Sequence, residues 1–112
     1  MAKLNCLIPG RELENASADF KAAQRVEQYR IGDAALYIPE GLKWNYLPLQ
    51  TVKKAEESFR VISAGHCVAV REKRPEIDLT TEAGVFHISL EKQENMRRLL
   101  AAFGNARRDT SL

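Results

Sequence analysis

Residues 36–49 read LYIPEGLKWNYLPL, two runs of aliphatic and aromatic residues around Pro39-Glu40-Gly41, the pattern of a β-hairpin. Side chains alternate across a strand, so Leu36 and Ile38 share one face. A three-residue loop at 39–41 would set residue 38 opposite 42 and 36 opposite 44. Leu36, Ile38, Leu42, Trp44 and Tyr46 then point into a core, while Tyr37 faces out and is a candidate to anchor a partner. Gly41 suits the left-handed position that such a loop requires.

The pattern of short strands and turns continues outward from this hairpin through residues 30–90. Val52 and Phe59 stand among charges in 49–60, and 61–63 lead into a turn at Ser63-Ala64-Gly65. His66 to Lys73 reads as a strand with Val68 and Val70 on one face and Arg71 and Lys73 on the other, ended by Pro75. Ile77 and Leu79 must share a face with Phe86, Ile88 and Leu90. A two-residue loop at Ala83-Gly84 satisfies that parity, pairing 79 with 88 and 77 with 90; a longer loop would need a bulge. Short strands at these intervals predict a small antiparallel barrel or sandwich.

Helical patterns flank the strands. Between 12 and 28, Ala16, Phe20, Ala22, Ala23 and Val26 trace a narrow apolar stripe after the Pro9-Gly10 break, predicting one helix laid against an edge or open end of the barrel. From 91 to 104, Met96, Leu99, Leu100 and Phe103 follow i, i+3, i+4, i+7, with Gly104 as the expected C-cap and 105–112 as a frayed tail.

The 112 residues, 45% hydrophobic and 29% charged, fit one globular domain over 1–112 and exclude a disordered or collagen-like chain. The apolar run in MAKLNCLIPGRELEN is too short for a signal-peptide core, and no window approaches the roughly 18 apolar residues of a spanning helix. Cys6 and Cys67 lack metal-ligand spacing and read as free thiols in a reducing cytoplasm. The net charge is +2, yet residues 33–90 hold seven basic against eight acidic side chains, a net −1. A body without excess positive charge disfavours nucleic acid as a partner.

About seven short strands followed by one C-terminal amphipathic helix resemble the pleckstrin-homology (PH) superfold. Residues 36–49 are similar to the opening strands of bacterial PH-like and GRAM-like domains, in which a strand, a tight turn and a Tyr-x-Pro-Leu step lead to the third strand. The resemblance covers roughly residues 30–104. It implies a bent barrel plugged at one end by the Met96, Leu99, Leu100, Phe103 face, with the N-terminal helix as an addition. PH-like domains bind phosphoinositides, phosphopeptides or proteins, and some scaffold. Phosphoinositide binders carry a basic motif across the first hairpin; here that loop is Pro39-Glu40-Gly41, flanked by Lys43.

No residue set reads as catalytic. His66 and Cys67 are strand neighbours pointing to opposite faces, and His87 falls across from Thr80 with no carboxylate placed beside it, so neither a metal nor a cofactor is expected. The expectation is a non-enzymatic cytoplasmic interaction domain that binds another protein or a second copy of itself. The alternative is an anionic membrane or phosphorylated ligand held by Lys53, Lys54, Arg71 and Lys73.

Overall fold

The computed structural model describes residues 3–63 and 71–110. Its elements run β1 (Lys3–Cys6), α1 (Ala16–Ala22), β2 (Gln24–Val26), β3 (Tyr29–Ile31), β4 (Ala35–Glu40), β5 (Lys43–Pro48), a 3-10 turn (Leu49–Thr51), β6 (Val52–Ser63), β7 (Arg71–Thr81), β8 (Gly84–Ser89) and α2 (Gln93–Thr110). One sheet has the order β1-β5-β4-β3-β2 and the other β6-β7-β8. The protein is therefore mainly β, with two α-helices among the described residues. Among the described residues no strand pairing joins the two sheets, so they do not form the closed barrel that the sequence suggested.

The hairpin that opened the sequence reading exists, but its loop is shorter than expected. Gly41 takes the left-handed conformation, at φ +62, and with Leu42 forms a two-residue loop closed by Glu40 opposite Lys43. Tyr37 then pairs with Tyr46, Leu36 with Leu47 and Pro39 with Trp44. Trp44 and Tyr46 thus lie on the face opposite Leu36, and Leu42 is fully exposed at the tip. Alternation misled here because both faces of this hairpin are covered, and a strand buried twice carries no in-out contrast. Tyr37, expected to face out, is completely buried and offers a partner no surface.

The cover on that second face is α1, shorter than the helix expected over 12–28. Ala23 turns extended, and β2 and β3 form a hairpin with Val26 opposite Tyr29 and Glu27 at φ +56 in its loop. The apolar stripe is real but divided. Phe20 and Ala16 pack on Ala35, Tyr37 and Tyr46, whereas Val26 enters the main core between the sheets. Phe20 meets Tyr37 and Trp44 edge-on, each at 5.1 Å between centroids, and the Arg30 guanidinium lies 4.6 Å from the Phe20 centroid and 5.3 Å from that of Trp44. Strand β1, absent from the sequence reading, adds in parallel to β5 with Leu4 beside Trp44 and Cys6 beside Tyr46.

In the second sheet a register shift between Val52 and Lys54 makes Lys53 the extra residue of a bulge. Both Val52 and Ala55 can then face the core, which simple alternation forbids. Pro75 does not end β7; it lies inside it, opposite Phe59, and its carbonyl accepts from the Leu90 N–H just past the end of β8. Its missing donor therefore points where the ladder has already stopped. Ile77, Leu79, Phe86 and Ile88 share a face as expected, but the loop is Glu82-Ala83, not Ala83-Gly84, so that Leu79 pairs with Phe86 and Ile77 with Ile88. The expected turn at Ala64-Gly65 and the positions of His66, Cys67, Val68 and Val70 lie outside the described residues.

Met96, Leu99 and Phe103 bury the expected face of α2 against residues of both sheets, with Leu100 partly buried. The helix runs through Gly104 to Thr110, so Gly104 is not its cap and residues 105–110 are helical, not a frayed tail. Its start is held from a distance. The Glu27 carboxylate accepts from the N–H groups of Glu91 (2.8 Å) and Lys92 (3.1 Å) and from Asn95 Nδ2 (2.9 Å). These contacts bind the β2–β3 loop to the entry of α2 and hold Glu27 in its unfavourable left-handed conformation.

Asp19 does for α1 what Glu27 does for α2. Its carboxylate accepts from the Asp33 N–H (3.0 Å), the Ala34 N–H (3.3 Å) and the Tyr37 phenol (2.7 Å), fastening α1 to the β3–β4 loop. Gly32 makes room for it, since a Cβ there would lie 2.2 Å from Asp19 Oδ2.

Two predictions follow from these two carboxylates. In urea denaturation, Gly32→Ala should cost about 1–3 kcal/mol in the wild-type chain but less than about 1 kcal/mol when Asp19 is already Ala, because the clash has gone. Burial pushes the Glu27 carboxyl up, but the bonds from Asn95, Glu91 and Lys92 and the Lys92 charge outweigh it and leave it below its usual value. A lowered folded-state pKa stabilises above the unfolded value and loses that contribution as pH falls through the folded one. The stability gap between wild type and Glu27→Gln, about 1–2 kcal/mol at neutral pH, should therefore close on acidification through the carboxylate range.

Candidate functional site

The parity of β7 and β8 divides the three-stranded sheet cleanly. Ile77, Leu79 and Ile88 face the core, so Glu76 and Asp78 on β7 and His87 on β8 face away from it. Because the loop is Glu82-Ala83, His87 stands opposite Asp78, two residues from the expected Thr80. Its Nδ1 lies 2.7 Å from Asp78 Oδ1 and 3.8 Å from Glu76 Oε1. One donor atom from each of the three side chains lies within 4.8 Å of the others. A residue pair at i and i+2 plus the residue opposite them across the ladder is a compact triangle on any sheet, which is why three ligating groups can meet here without a loop.

The three side chains form a graded wall. The Glu76 side chain is 14% exposed, that of Asp78 31% and that of His87 60%. On the neighbouring strand, Glu56, across from Asp78, is engaged by Lys54 at 3.3 Å. Two carboxylates thus face one imidazole, a mixed oxygen and nitrogen donor set that a divalent cation would satisfy. The expectation that no carboxylate stands beside His87 is corrected by the register, and the signal that could have found the site is the spacing Glu76-x-Asp78 read with a loop one residue earlier.

The four basic residues expected to hold an anion are not gathered in one place. Lys53 and Lys54 lie at one end of β6, both exposed, with Lys54 opposite Thr80. Lys73 stands opposite Val61 and Arg71 opposite Ser63, toward the other end. Seven residues separate Lys54 from Val61, about 23 Å of strand, so the two pairs cannot clasp a single phosphate group.

The aromatic layer under α1 is structural. The Tyr37 phenol donates to Asp19, with the Ala16 carbonyl as a longer acceptor at 3.2 Å. Burial, the bond to Asp19 and the Asp19 charge push its ionisation far above the usual phenol range. Tyr46 Oη accepts from the Leu13 N–H, and Tyr29 donates to the Ser89 carbonyl, tying the first sheet to β8. Cys6 is a free thiol that donates to the Ile8 carbonyl. No helix among the described residues is long and apolar enough to cross a membrane.

No family model, curated protein or solved structure matches this chain. The arrangement of its own residues is what bears on function.

Since His87 is exposed and its contacts to Asp78 and Glu76 are worth little in water, His87→Ala should change the thermal stability of the metal-free chain by less than about 1 kcal/mol. A larger loss in a differential scanning experiment would mean that the pair is a structural contact.

Proposed function

We propose that the protein is a PH-like interaction domain that acts by binding, not catalysis, and that the partner it engages is a second copy of itself. Support for the PH-like reading comes from two successive antiparallel meanders, β2–β5 and β6–β8, followed by a C-terminal helix whose Met96, Leu99 and Phe103 are buried against both. Parallel strand β1 and helix α1 are additions to that pattern.

The observation that carries the self-association reading is the outer edge of β6. This strand has 12 residues and, among the described residues, pairs on one side alone. An open edge of that length is a template for another strand. Its sequence Lys53-Lys54-Ala55-Glu56-Glu57 is charge-antisymmetric about Ala55. Two copies meeting antiparallel about a two-fold axis at Ala55 would set Lys54 opposite Glu56 and Lys53 opposite Glu57, each contact occurring twice, as an isologous interface requires. An identical strand is the partner that this pattern fits by construction. A cleft of about 420 Å³ lined by Glu57, Ser58, Phe59, Pro75, Glu91, Gln93 and Met96, part polar and part apolar, lies along the same strand and leaves room for a partner strand's side chains. Phe59 itself is 60% exposed.

Charge exchange tests this. Wild type should sediment as a dimer that dissociates at high salt. Lys53→Glu/Lys54→Glu and Glu56→Lys/Glu57→Lys should each be monomeric at low salt, because each would set like charges opposite one another. Mixed in equal amounts, the two variants should pair. Wild type that remains monomeric at all concentrations, or variants that fail to pair when mixed, would contradict the proposal.

A further inference from the structure

We propose that Glu76, Asp78 and His87 form a binding site for one divalent transition-metal ion, lying on the outer face of the β6–β8 sheet, independent of the β6 edge. The argument begins with charge. Glu76 is the most covered of the three side chains, and the group it shares with Asp78 is the His87 ring, at 3.8 and 2.7 Å. Two carboxylates that converge on one imidazole offer an ion placed between the three both charge and donor atoms.

Geometry agrees with the charge. Ligands about 2.0–2.1 Å from a tetrahedral zinc ion stand roughly 3.3 Å from each other. The His87 Nδ1 distances bracket that value, one shorter at 2.7 Å and one longer at 3.8 Å, and all three donor atoms lie within 4.8 Å of one another. Small side-chain rotations therefore bring the three onto one ion without moving the backbone. The ion takes the place of the proton between Nδ1 and Asp78, and the ring keeps its hydrogen on Nε2. Three protein ligands on an open sheet face leave the remaining positions to water. The imidazole nitrogen selects the class of ion: Zn²⁺, and the first-row ions near it, over the oxygen-seeking Mg²⁺ and Ca²⁺.

Both strands of the site belong to one hairpin, so a bound ion would clamp β7 to β8 at mid-length, opposite the buried Ile77, Leu79 and Ile88. It requires neither dimerisation nor any residue of β6.

The test is calorimetric titration of the full chain with Zn²⁺, with the imidazole resonances followed by NMR. The expected result is one ion per chain, a shift of the His87 ring signals, and binding weakened at least tenfold by His87→Ala and by Asp78→Asn. His66→Ala should leave that binding within twofold of wild type, and Ca²⁺ should bind at least tenfold more weakly than Zn²⁺. The proposal is overturned if Zn²⁺ does not bind, if His66→Ala abolishes binding that His87→Ala spares, or if Ca²⁺ binds as tightly. The Lys53→Glu/Lys54→Glu variant, whose substitutions stand opposite none of the three ligands, should still bind one ion, which separates failure of this site from failure of the dimer.

Discussion

The fold depends on the cover that α1 provides over the outer face of the first sheet. Strands β4 and β5 place Leu36 and Leu47 in the main core and Ala35, Tyr37 and Tyr46 on the other side, where two tyrosine rings would otherwise meet water. Exposed apolar surface of that extent is unfavourable by roughly 25 cal/mol per Å². A seven-residue helix has little intrinsic stability of its own, so its position rests on Phe20 in the aromatic layer and on the bonds gathered by Asp19. Gly32 is part of the same device, because the space it leaves is occupied by the Asp19 carboxylate.

The interactions proposed for this chain lie on the second sheet. With the middle of the five-stranded sheet covered on both faces, the outer face of β6–β8 carries Lys54, Glu56, Glu76, Asp78 and His87, and among the described residues the outer edge of β6 pairs with no strand. The near-neutral balance of the body fits these features better than it fits a polyanion groove. Opposite charges lie side by side along β6, and the acidic pair on β7 favours a cation over an anion. A long edge rich in lysine is ordinarily a guard against association. The antisymmetric order of Lys53, Lys54, Glu56 and Glu57 is what would make a specific pairing of two such edges favourable.

How much of this was legible in the sequence depends on how many faces each element buries. The α2 stripe of Met96, Leu99 and Phe103 has one buried face and was read correctly. So was the shared face of Ile77, Leu79, Phe86 and Ile88. The residues 36–49 announced a hairpin and a left-handed Gly41, but with both faces covered, their alternation could not tell Leu36 from Tyr37. Helix α1 was overextended because Val26 kept the helical spacing while belonging to a different core, and nothing local marks Glu27 as a residue held at positive φ by contacts with α2. The triangle of Glu76, Asp78 and His87 was hidden by one residue of loop placement at 82–84, which moved His87 by two positions along its partner strand.

The most direct measure of the central claim, that α1 seals the aromatic face, is the alkaline spectrophotometric titration of the tyrosines. All three are raised above the ordinary phenol value of 10.0: Tyr29 by burial and the nearby Glu27 charge, Tyr46 by burial first, and Tyr37 most of all, by burial and Asp19. The sealed layer predicts that neither Tyr37 nor Tyr46 ionises in the ordinary range while the chain stays folded, and that Tyr37 ionises last, together with unfolding. More than one tyrosine titrating near 10 with the circular dichroism unchanged would contradict it.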